Sequence, residues 1–423
     1  MAQVLLGCIA DDVTGATDLA LTLAREGLRV VQVNGLPDPV APAPEADAIV
    51  VALKSRTIEP AEAVNWSLRA LAWLQAAGAQ RFFFKYCSTF DSSDRGNIGP
   101  VAEVLMEALG ARLTIACPAF PANGRTIFKG HLFVGDQLLS DSPMRDHPLT
   151  PMRDSNLVRV LQRQCRGKVG LIPYSDVEGG PGVIATALAA AEQCGLRLMI
   201  VDALTDAHLR DIGDAVADFP LVTGGSGVAL GLPQAWRRAG LVQGSAEPAA
   251  IEAPAGSALI LAGSCSAATR GQVAAAKPNM PHFQLDPVAL AEEPARIEQV
   301  AAWVREHLGG DPVLIYSSAE PAEVEGLQQT LGRERAGAMI ENAMGQLARA
   351  AVAAGATRIV VAGGETSGAV MEALGVKQLA IGQEIDTGVP WTRSVAGPDL
   401  ALALKSGNFG SEDFFSKALG MLP

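Results

Sequence analysis

Two adjacent carboxylates, Asp11 and Asp12, stand where the apolar run Val4–Ala10 gives way to Val13-Thr14-Gly15-Ala16. An acid between a buried strand and a helix serves as an N-cap, because its oxygens accept the first unpaired helical N–H groups. One of the pair is expected to cap. The other is expected to face the open end of the sheet, where it could accept a hydroxyl proton, bind polyol hydroxyls or hold a metal. Cations recur at further strand ends, in Lys54-Ser55-Arg56-Thr57, in Lys85-Tyr86-Cys87-Ser88-Thr89-Phe90-Asp91 and in Asn123-Gly124-Arg125. A single Arg or Lys is ordinarily a solvated surface charge. Cations at successive strand ends, each beside Ser, Thr or Asn, suggest a pocket for a small hydroxylated carboxylate, since Arg meets a carboxylate bidentately and hydroxyls read a polyol.

Glycine-rich turns mark a second kind of chemistry. Besides the Asp11–Asp12 junction, a buried run meets a small-residue turn and a helix at Thr223-Gly224-Gly225-Ser226-Gly227, Gly263-Ser264-Cys265-Ser266 and Gly363-Gly364-Glu365-Thr366. Such turns lie at the carboxyl ends of strands in open α/β sheets, where ligands bind. The first helical N–H groups and the positive end of the helix dipole attract anions there. The last two turns are the better phosphate cradles, and Gly407-Asn408-Phe409-Gly410 could close over the same site. Taken alone, any one such turn is as well explained by the turn and capping preferences of Gly, Ser and Thr. No G-x-x-x-x-G-K-[ST], kinase H-R-D or D-F-G, H-E-x-x-H or G-x-S-x-G occurs. Gly180-Pro181-Gly182-Val183-Ile184-Ala185 fits G-x-G-x-x-A but follows no strand, so it reads as a loop and does not imply NAD. His131 and His147 have no further ligand at metal spacing and read as structural or substrate-lining.

The elements that must position these groups follow from the apolar pattern. Runs of four to seven Val, Ile and Leu residues alternate with amphipathic stretches of 12–20 residues, the signature of βαβ units around mainly parallel sheets. Strands are expected at Val4–Ala10, Val30–Val33, Ala48–Ala52, Arg81–Lys85, Leu113–Ala116, Gly170–Ile172, Arg197–Val201 and Leu221–Thr223. Beyond residue 257 they are expected at Ala258–Ala262, Val313–Ser317 and Arg358–Ala362, with helices at Pro294–Leu308 and Arg335–Ala354. A chain of 423 residues exceeds the roughly 250–300 at which one core stops growing. Residues 242–257, rich in Ala, Pro, Gly and Glu and without a helical or strand period, read as a linker between domains 1–241 and 258–423. Phe120–Asn156 is expected to be a functional insertion without regular structure.

Composition narrows the partners. A net charge of −12, with no blocks of like sign, argues against nucleic acid or an anionic membrane as main partner. A small anion would need local amides and cations to hold it. No apolar run reaches the ~18–20 residues of a membrane span and the N-terminus has no basic start, so a cytoplasmic protein is expected. Its six cysteines are dispersed, with no C-x-x-C, and read mostly as buried reduced thiols. Oligomeric state is left open.

The blocks IADDVTGATDLALTLAREGLRVVQVNGLP, KSRT, KYCSTFDSS, GNIGP, CPAFPANGRT, HPLTPMRDSNLV, GGSGVALGLP, GSCSAATRGQV, GGETSGAV and EIDTGVPW occur in this order between Ile9 and Gly410. In order and spacing they resemble the four-carbon acid sugar kinases. The resemblance implies an α/β protein of two domains, each a mainly parallel sheet flanked by helices, with the active site in the cleft between them. It implies ATP-dependent phosphorylation, with Mg²⁺, of the 4-hydroxyl of a 3-dehydrotetronate (3-oxo-tetronate), the N-terminal domain holding the acid sugar and the C-terminal domain the ATP. Nucleotide contacts are implied at Ser264, at Gly363, Gly364, Glu365 and Thr366, and at Gly407, which coincide with the cradles above. Asp11 or Asp12 would orient or deprotonate the hydroxyl. Arg56, Lys85 and Arg125 would meet the carboxylate or the transferred phosphate, and Ser88, Asp91 and Asn123 the hydroxyls. Val13 stands where the family commonly has Phe, and Thr387 where Pro is common; neither removes a polar group. A threonate or erythronate kinase of the same family is the alternative, and a non-catalytic sugar-acid binding protein a further one.

Overall fold

Strands buried on both faces read as unbroken apolar runs, and the first of them, β1 (Leu6–Ala10), is buried at every residue. The computed structural model describes residues 4–147, 149–242, 251–293, 295–317, 333–395 and 397–422. They fall into two compact units, Met1–Glu247 and Pro248–Pro423. Residues 243–250 of the expected linker, Pro294 at the start of one expected helix, and the segment 318–332 lie outside the described residues. From residue 251 the chain runs without helix or strand to Ser257.

In the first unit β1 is followed by β2 (Val30–Asn34), β3 (Ala48–Ala52), β4 (Arg81–Lys85) and β5 (Thr114–Cys117). A small sheet of β6 (Arg125–Phe128), β7 (His131–Val134) and β8 (Gln137–Leu138) intervenes before β9 (Lys168–Ile172), β10 (Leu196–Val201) and β11 (Leu221–Gly224). The main sheet is parallel, in the order β2-β3-β1-β4-β11-β5-β10-β9. The chain winds to one side of β1 through β2 and β3, then crosses to β4 on the other. That reversal opens a crevice at the carboxyl ends of β1 and β4, which is where α/β sheets take ligands. Asp11 and Asp12 leave β1 at that end, Lys85 is the last residue of β4, and Arg56 follows β3.

The insertion corrects one expectation. Phe120–Asn156 is not structureless: β6, β7 and β8 pair antiparallel, with 3₁₀ turns at Pro121–Asn123, Leu139–Asp141 and Pro143–Asp146. Asp202, fully buried after β10, accepts the amide N–H groups of Lys129 (2.7 Å), Gly130 (2.8 Å) and Tyr174 (2.9 Å), tying the β6–β7 turn to the sheet end. Strands of two to four residues and mixed polarity, tied down by one buried carboxylate, carry no periodic signal. Likewise Gly180 does not sit in a loop but N-caps the helix Pro181–Gln193, with Pro181 at its first position.

The second unit contains β12 (Ser257–Ala262), β13 (His282–Gln284), β14 (Val313–Tyr316), β15 (Ala356–Ala362), β16 (Gln378–Asp386), β17 (Val389–Ser394) and β18 (Ala401–Lys405). Their order is β13-β14-β12-β15-β18-β17-β16, parallel as far as β18 and antiparallel beyond it. Strand β12 is flanked by β14 and β15, so a second reversal point falls where Ser264 and Gly363 emerge. The strands β13 and β16–β18 were not legible as such. The antiparallel pairs bury Trp391 against the helix Phe414–Met421, its Nε1–H donating to the Ala418 carbonyl at 3.0 Å.

All six cysteines are free; only Cys8 and Cys117 are buried, Cys194 is exposed and the other three are half-buried, so burial is less general than expected. Among the described residues no helix is long and apolar enough to cross a membrane.

Candidate active site

Asp12 is the cap. Its backbone is extended (φ −148°, ψ 164°), and its carboxylate accepts the Gly15 N–H at 2.9 Å and the Thr14 hydroxyl at 2.9 Å at the start of the helix Val13–Arg25. Asp11 does not face an open pocket alone. Both its oxygens accept from Arg56, Nε at 2.9 Å and Nη2 at 2.8 Å, and the same Nη2 lies 2.8 Å from Asp12 Oδ1. Arg56 Nη1 faces Asp91 Oδ2 at 3.9 Å. Lys85 Nζ and Asp12 Oδ1 both sit over Gly15, 3.0 and 2.3 Å from a Cβ built there, so a larger residue would push the pair apart. One cluster therefore collects Asp11, Asp12, Arg56, Lys85 and Asp91 from three strand ends, those of β1, β3 and β4.

Its electrostatics separate the two acids. Burial pushes the Asp12 carboxyl up, but Arg56, Lys85, the Thr14 hydroxyl and the Gly15 amide outweigh it and hold the group below the usual carboxylate value. For Asp11 burial prevails over the attraction of Arg56 and the carboxyl is raised. Burial works against the Arg56 cation too, yet Asp11 and Asp12 more than compensate. Asp12 is thus the better ionised of the two. A fork shared by two carboxylates also fixes their rotamers, which a flexible Lys would not.

Arg125 lies at the start of β6 with its Nη1 donating to the Asn123 carbonyl. Burial lowers its affinity for its proton, opposed by Cys87, Asp91 and Asp18, so it borders the Asp91 side of the cluster. Arg125 Nε and Asn123 Nδ2 are buried without a hydrogen-bond partner among the described residues. Unpaired buried donors are costly, and a ligand carboxylate or hydroxyl would satisfy them. Ser88 is buried in the loop that carries Asp91, whose Oδ1 accepts from Thr89 Oγ1 at 2.6 Å. His131 Nδ1 lies 2.9 Å from the Lys129 carbonyl oxygen and its Nε2 3.4 Å from Asn156 Nδ2, while His147 Nδ1 lies 2.9 Å from Thr150 Oγ1.

Two residues that hold this cluster were missed in the sequence. Asn97 donates its Nδ2 to the carbonyls of Ser55 (2.7 Å), Arg56 (3.3 Å) and Ile58 (3.0 Å), clamping the turn that presents Arg56. Phe90 adopts φ 53°, rare for a residue with a Cβ, and packs edge-on against Tyr86 at 5.5 Å. That conformation costs about 1–3 kcal/mol and persists where packing over-determines it. The only available signal was the polar density of the two segments, which does not say whom they contact.

In the second unit three turns converge. Ser264 follows β12, Gly363 follows β15, and Gly407 follows β18. A Cβ at Gly407 would lie 2.3 Å from Ser264 Oγ, and one at Gly363 2.9 Å from Thr366 Oγ1 and 3.3 Å from Ser264 N. Gly364 begins the helix Gly364–Leu374, Glu365 is exposed in its first turn, and Thr366 is buried. A second helix, Ala267–Ala276, starts alongside with Ser266 as its cap. Two helix N-termini and three close glycine-bearing turns form a cradle that backbone and hydroxyl groups line, the donor set suited to phosphates.

A family model described as a sugar-binding N-terminal domain matches residues 6–232, and one described as a nucleotide-binding C-terminal domain matches residues 259–415. Over 421 residues the chain is 56% identical to a Cupriavidus necator protein named 3-oxo-tetronate kinase, covering 99% of this chain and 97% of that one. It belongs to the four-carbon acid sugar kinases. A member of this family from Haemophilus influenzae, also named 3-oxo-tetronate kinase, is 44% identical over 418 residues, covering 99% and 100% of the two chains. Among solved structures, one from Salmonella typhimurium LT2, tentatively described as a tRNA synthase, aligns with TM-score 0.88 at 41% identity over 100% of both chains. A Haemophilus influenzae structure aligns with TM-score 0.77 at 44% identity over 99% of this chain and 100% of that one. In this acid sugar kinase the carboxylate–guanidinium cluster falls within the matched sugar-binding domain and the glycine cradle within the matched nucleotide-binding domain.

Proposed function

We propose that this protein transfers the γ-phosphate of ATP to the 4-hydroxyl of a 3-oxo-tetronate, giving the 3-dehydro-4-phosphotetronate. The observation that carries the reading is the convergence of Ser264, Gly363, Thr366 and Gly407 into one cradle inside the matched nucleotide-binding domain. The substrate rests on the names of relatives 54–56% identical over nearly the whole chain. Residues 1–241 would serve as the acid-sugar domain, 242–257 as linker and 258–423 as the nucleotide domain. An RNA substrate has less support, because the chain carries a net charge of −12.

Phosphoryl transfer depends mainly on in-line positioning and charge neutralisation. Asp12, the better ionised acid, orients the 4-hydroxyl and takes up its proton. Asp11 holds Arg56 by both oxygens, so it is a positioning residue, and Arg56 and Lys85 offset the charge that gathers as phosphate approaches. Arg125 and Asn123, with donors to spare, take the tetronate carboxylate, while Ser88 and Asp91 meet its hydroxyls. The amides of Gly363, Gly364, Glu365 and Thr366 and the turns at Ser264 and Gly407 hold the nucleotide phosphates. Mg²⁺ is bound by phosphate oxygens plus one or two carboxylates rather than by a full protein cage. When bound, Mg²⁺ would neutralise phosphate charge. We place the reaction in the cytoplasm.

The decisive assay measures ADP release against 3-oxo-tetronates, threonate and erythronate, with and without Mg²⁺. No acid-stimulated ADP formation refutes the kinase reading, and faster turnover of threonate moves the assignment to the alternative substrate. Within the mechanism, Asp12→Asn should keep the fold, since Asn caps as well as Asp. It should lower kcat by about 10²–10⁴-fold. Full turnover with unchanged substrate affinity would remove Asp12 from the proton-accepting role.

A further inference from the structure

Lys405 closes β18 and is fully buried. Its ammonium donates to Thr269 Oγ1 (3.1 Å), the Ser406 carbonyl (3.0 Å) and the Gly407 carbonyl (3.1 Å), and lies 6.0 Å from the centre of the Phe414 ring. None of these partners carries a negative charge. Burying a cation with only neutral partners is expensive. Burial accordingly lowers the group from the usual lysine value to about 7. The helices Ala267–Ala276, Gly364–Leu374 and Phe414–Met421 carry Arg270, Glu365 with Glu372, and Lys417, but burial is the cause of the shift, with no contribution from any of these charges.

What the cation organises is one peptide group. The Gly407 carbonyl accepts from three donors at once: Ser266 Oγ, Thr269 Oγ1 at 2.9 Å and Lys405 Nζ at 3.1 Å. In a planar trans peptide the C=O and the following N–H point in opposite directions. Holding the carbonyl inward therefore turns the Asn408 N–H to the other side of the turn. Gly407, which carries this carbonyl, is the residue at which a Cβ would run into the Ser264 side chain in the cradle.

We propose that Lys405 is a positioning residue of the nucleotide site. Together with Ser266 and Thr269 it locks the Gly407–Asn408 peptide so that the Asn408 N–H donates to a nucleotide phosphate, and it sets an uncompensated positive charge directly behind that turn. The inference rests on the nucleotide-site reading of the C-terminal unit. It adds a second consequence: bound polyphosphate stabilises the charged form of Lys405, so binding takes up a proton where the empty site has lost one. Affinity then falls as pH rises above 7.

The test titrates ADP into the full chain by calorimetry between pH 6.5 and 8.5, in buffers of different ionisation enthalpy. For the unaltered protein the Kd should rise about tenfold from pH 7 to 8.5, with proton uptake. Lys405→Met should bind ADP roughly 10–100-fold more weakly at pH 6.5, with no such pH dependence. Without ligand, at pH 6.5, it should melt no lower than the parent, because a costly buried charge is gone; a purely structural lysine would give a lower melting temperature instead. Lys405→Arg should bind tightly without the pH dependence. Wild-type affinity or an unchanged pH slope in Lys405→Met overturns the proposal. If that variant fails to fold, a pH slope persisting in Lys405→Arg overturns it. An unaltered protein that binds no ADP at any pH refutes the nucleotide-site reading itself, and the inference with it.

Discussion

Arg56→Met is expected to lose about 10²–10³-fold in kcat, and about 3–5 kcal/mol of stability near pH 8. The guanidinium is the common partner of Asp11 and Asp12, and it is only 21% exposed, against 8% for the Asp11 side chain. Its removal leaves two adjacent carboxylates in a buried turn with Lys85 as their remaining nearby cation, so each resists ionisation. The pH dependence follows with a definite sign. In the unaltered protein the depressed Asp12 carboxyl contributes stability above its unfolded value, lost as pH falls through the lower folded value. In Arg56→Met the folded values of both acids move up. The folded state then binds more protons than the unfolded chain, and stability falls as pH rises. The deficit should therefore be largest near pH 8 and shrink towards pH 5, as urea denaturation at the two pH values would reveal. Arg56→Lys keeps the charge without the fork and should recover stability better than turnover. An Arg56→Met protein as stable and active as its parent at pH 8 would show that the two acids do not depend on this cation.

The second large effect belongs to Gly363→Ala. Gly363 has φ +133°, a conformation that side chains avoid, and its Cβ would lie 2.9 Å from Thr366 Oγ1 and 3.3 Å from Ser264 N. The strain costs about 1–3 kcal/mol. The added methyl also enters the cradle, so KM for ATP should rise roughly 10–100-fold, beyond anything the stability loss explains. Gly375→Ala is the control, because Gly375 is likewise left-handed (φ +65°) but caps the far end of the same helix, with nothing within 4 Å of its Cβ. It should lose about 1–2 kcal/mol of stability and leave the ATP dependence unchanged. Equal effects of the two alanines on KM for ATP would show that Gly363 matters only as a turn.

Much of this geometry could be read before the structure. The continuous apolar runs located β1, β3 and β4 to within a residue or two, because a strand covered on both faces has no polar positions to obscure it. Strand ends carrying Asp, Arg, Lys and Gly were legible as ligand-facing turns because such residues recur where one apolar run after another stops, which capping and turn preferences explain for a single turn but not for the whole series. Strands β6–β8 and β16–β18 were not legible, being short, mixed in polarity and paired antiparallel through contacts that local periodicity does not encode.

By itself, then, the sequence determined a two-part α/β chain with acids and cations at strand ends in the first half and glycine turns in the second. It also determined that Asp11 and Asp12 would divide into a cap and a second acid, since only one residue can occupy the position before the helix. Only the tertiary structure decided that Arg56, 45 residues away from Asp11, binds both acids and does not stand apart as a free ligand-binding cation. It alone showed that Lys405, in sequence the polar end of an apolar run, is buried against Thr269, 136 residues earlier. The physical reason is common to both. A charge is identified by its residue type, but its partner, and so its ionisation and its role, is set by which distant turn the sheet order brings beside it.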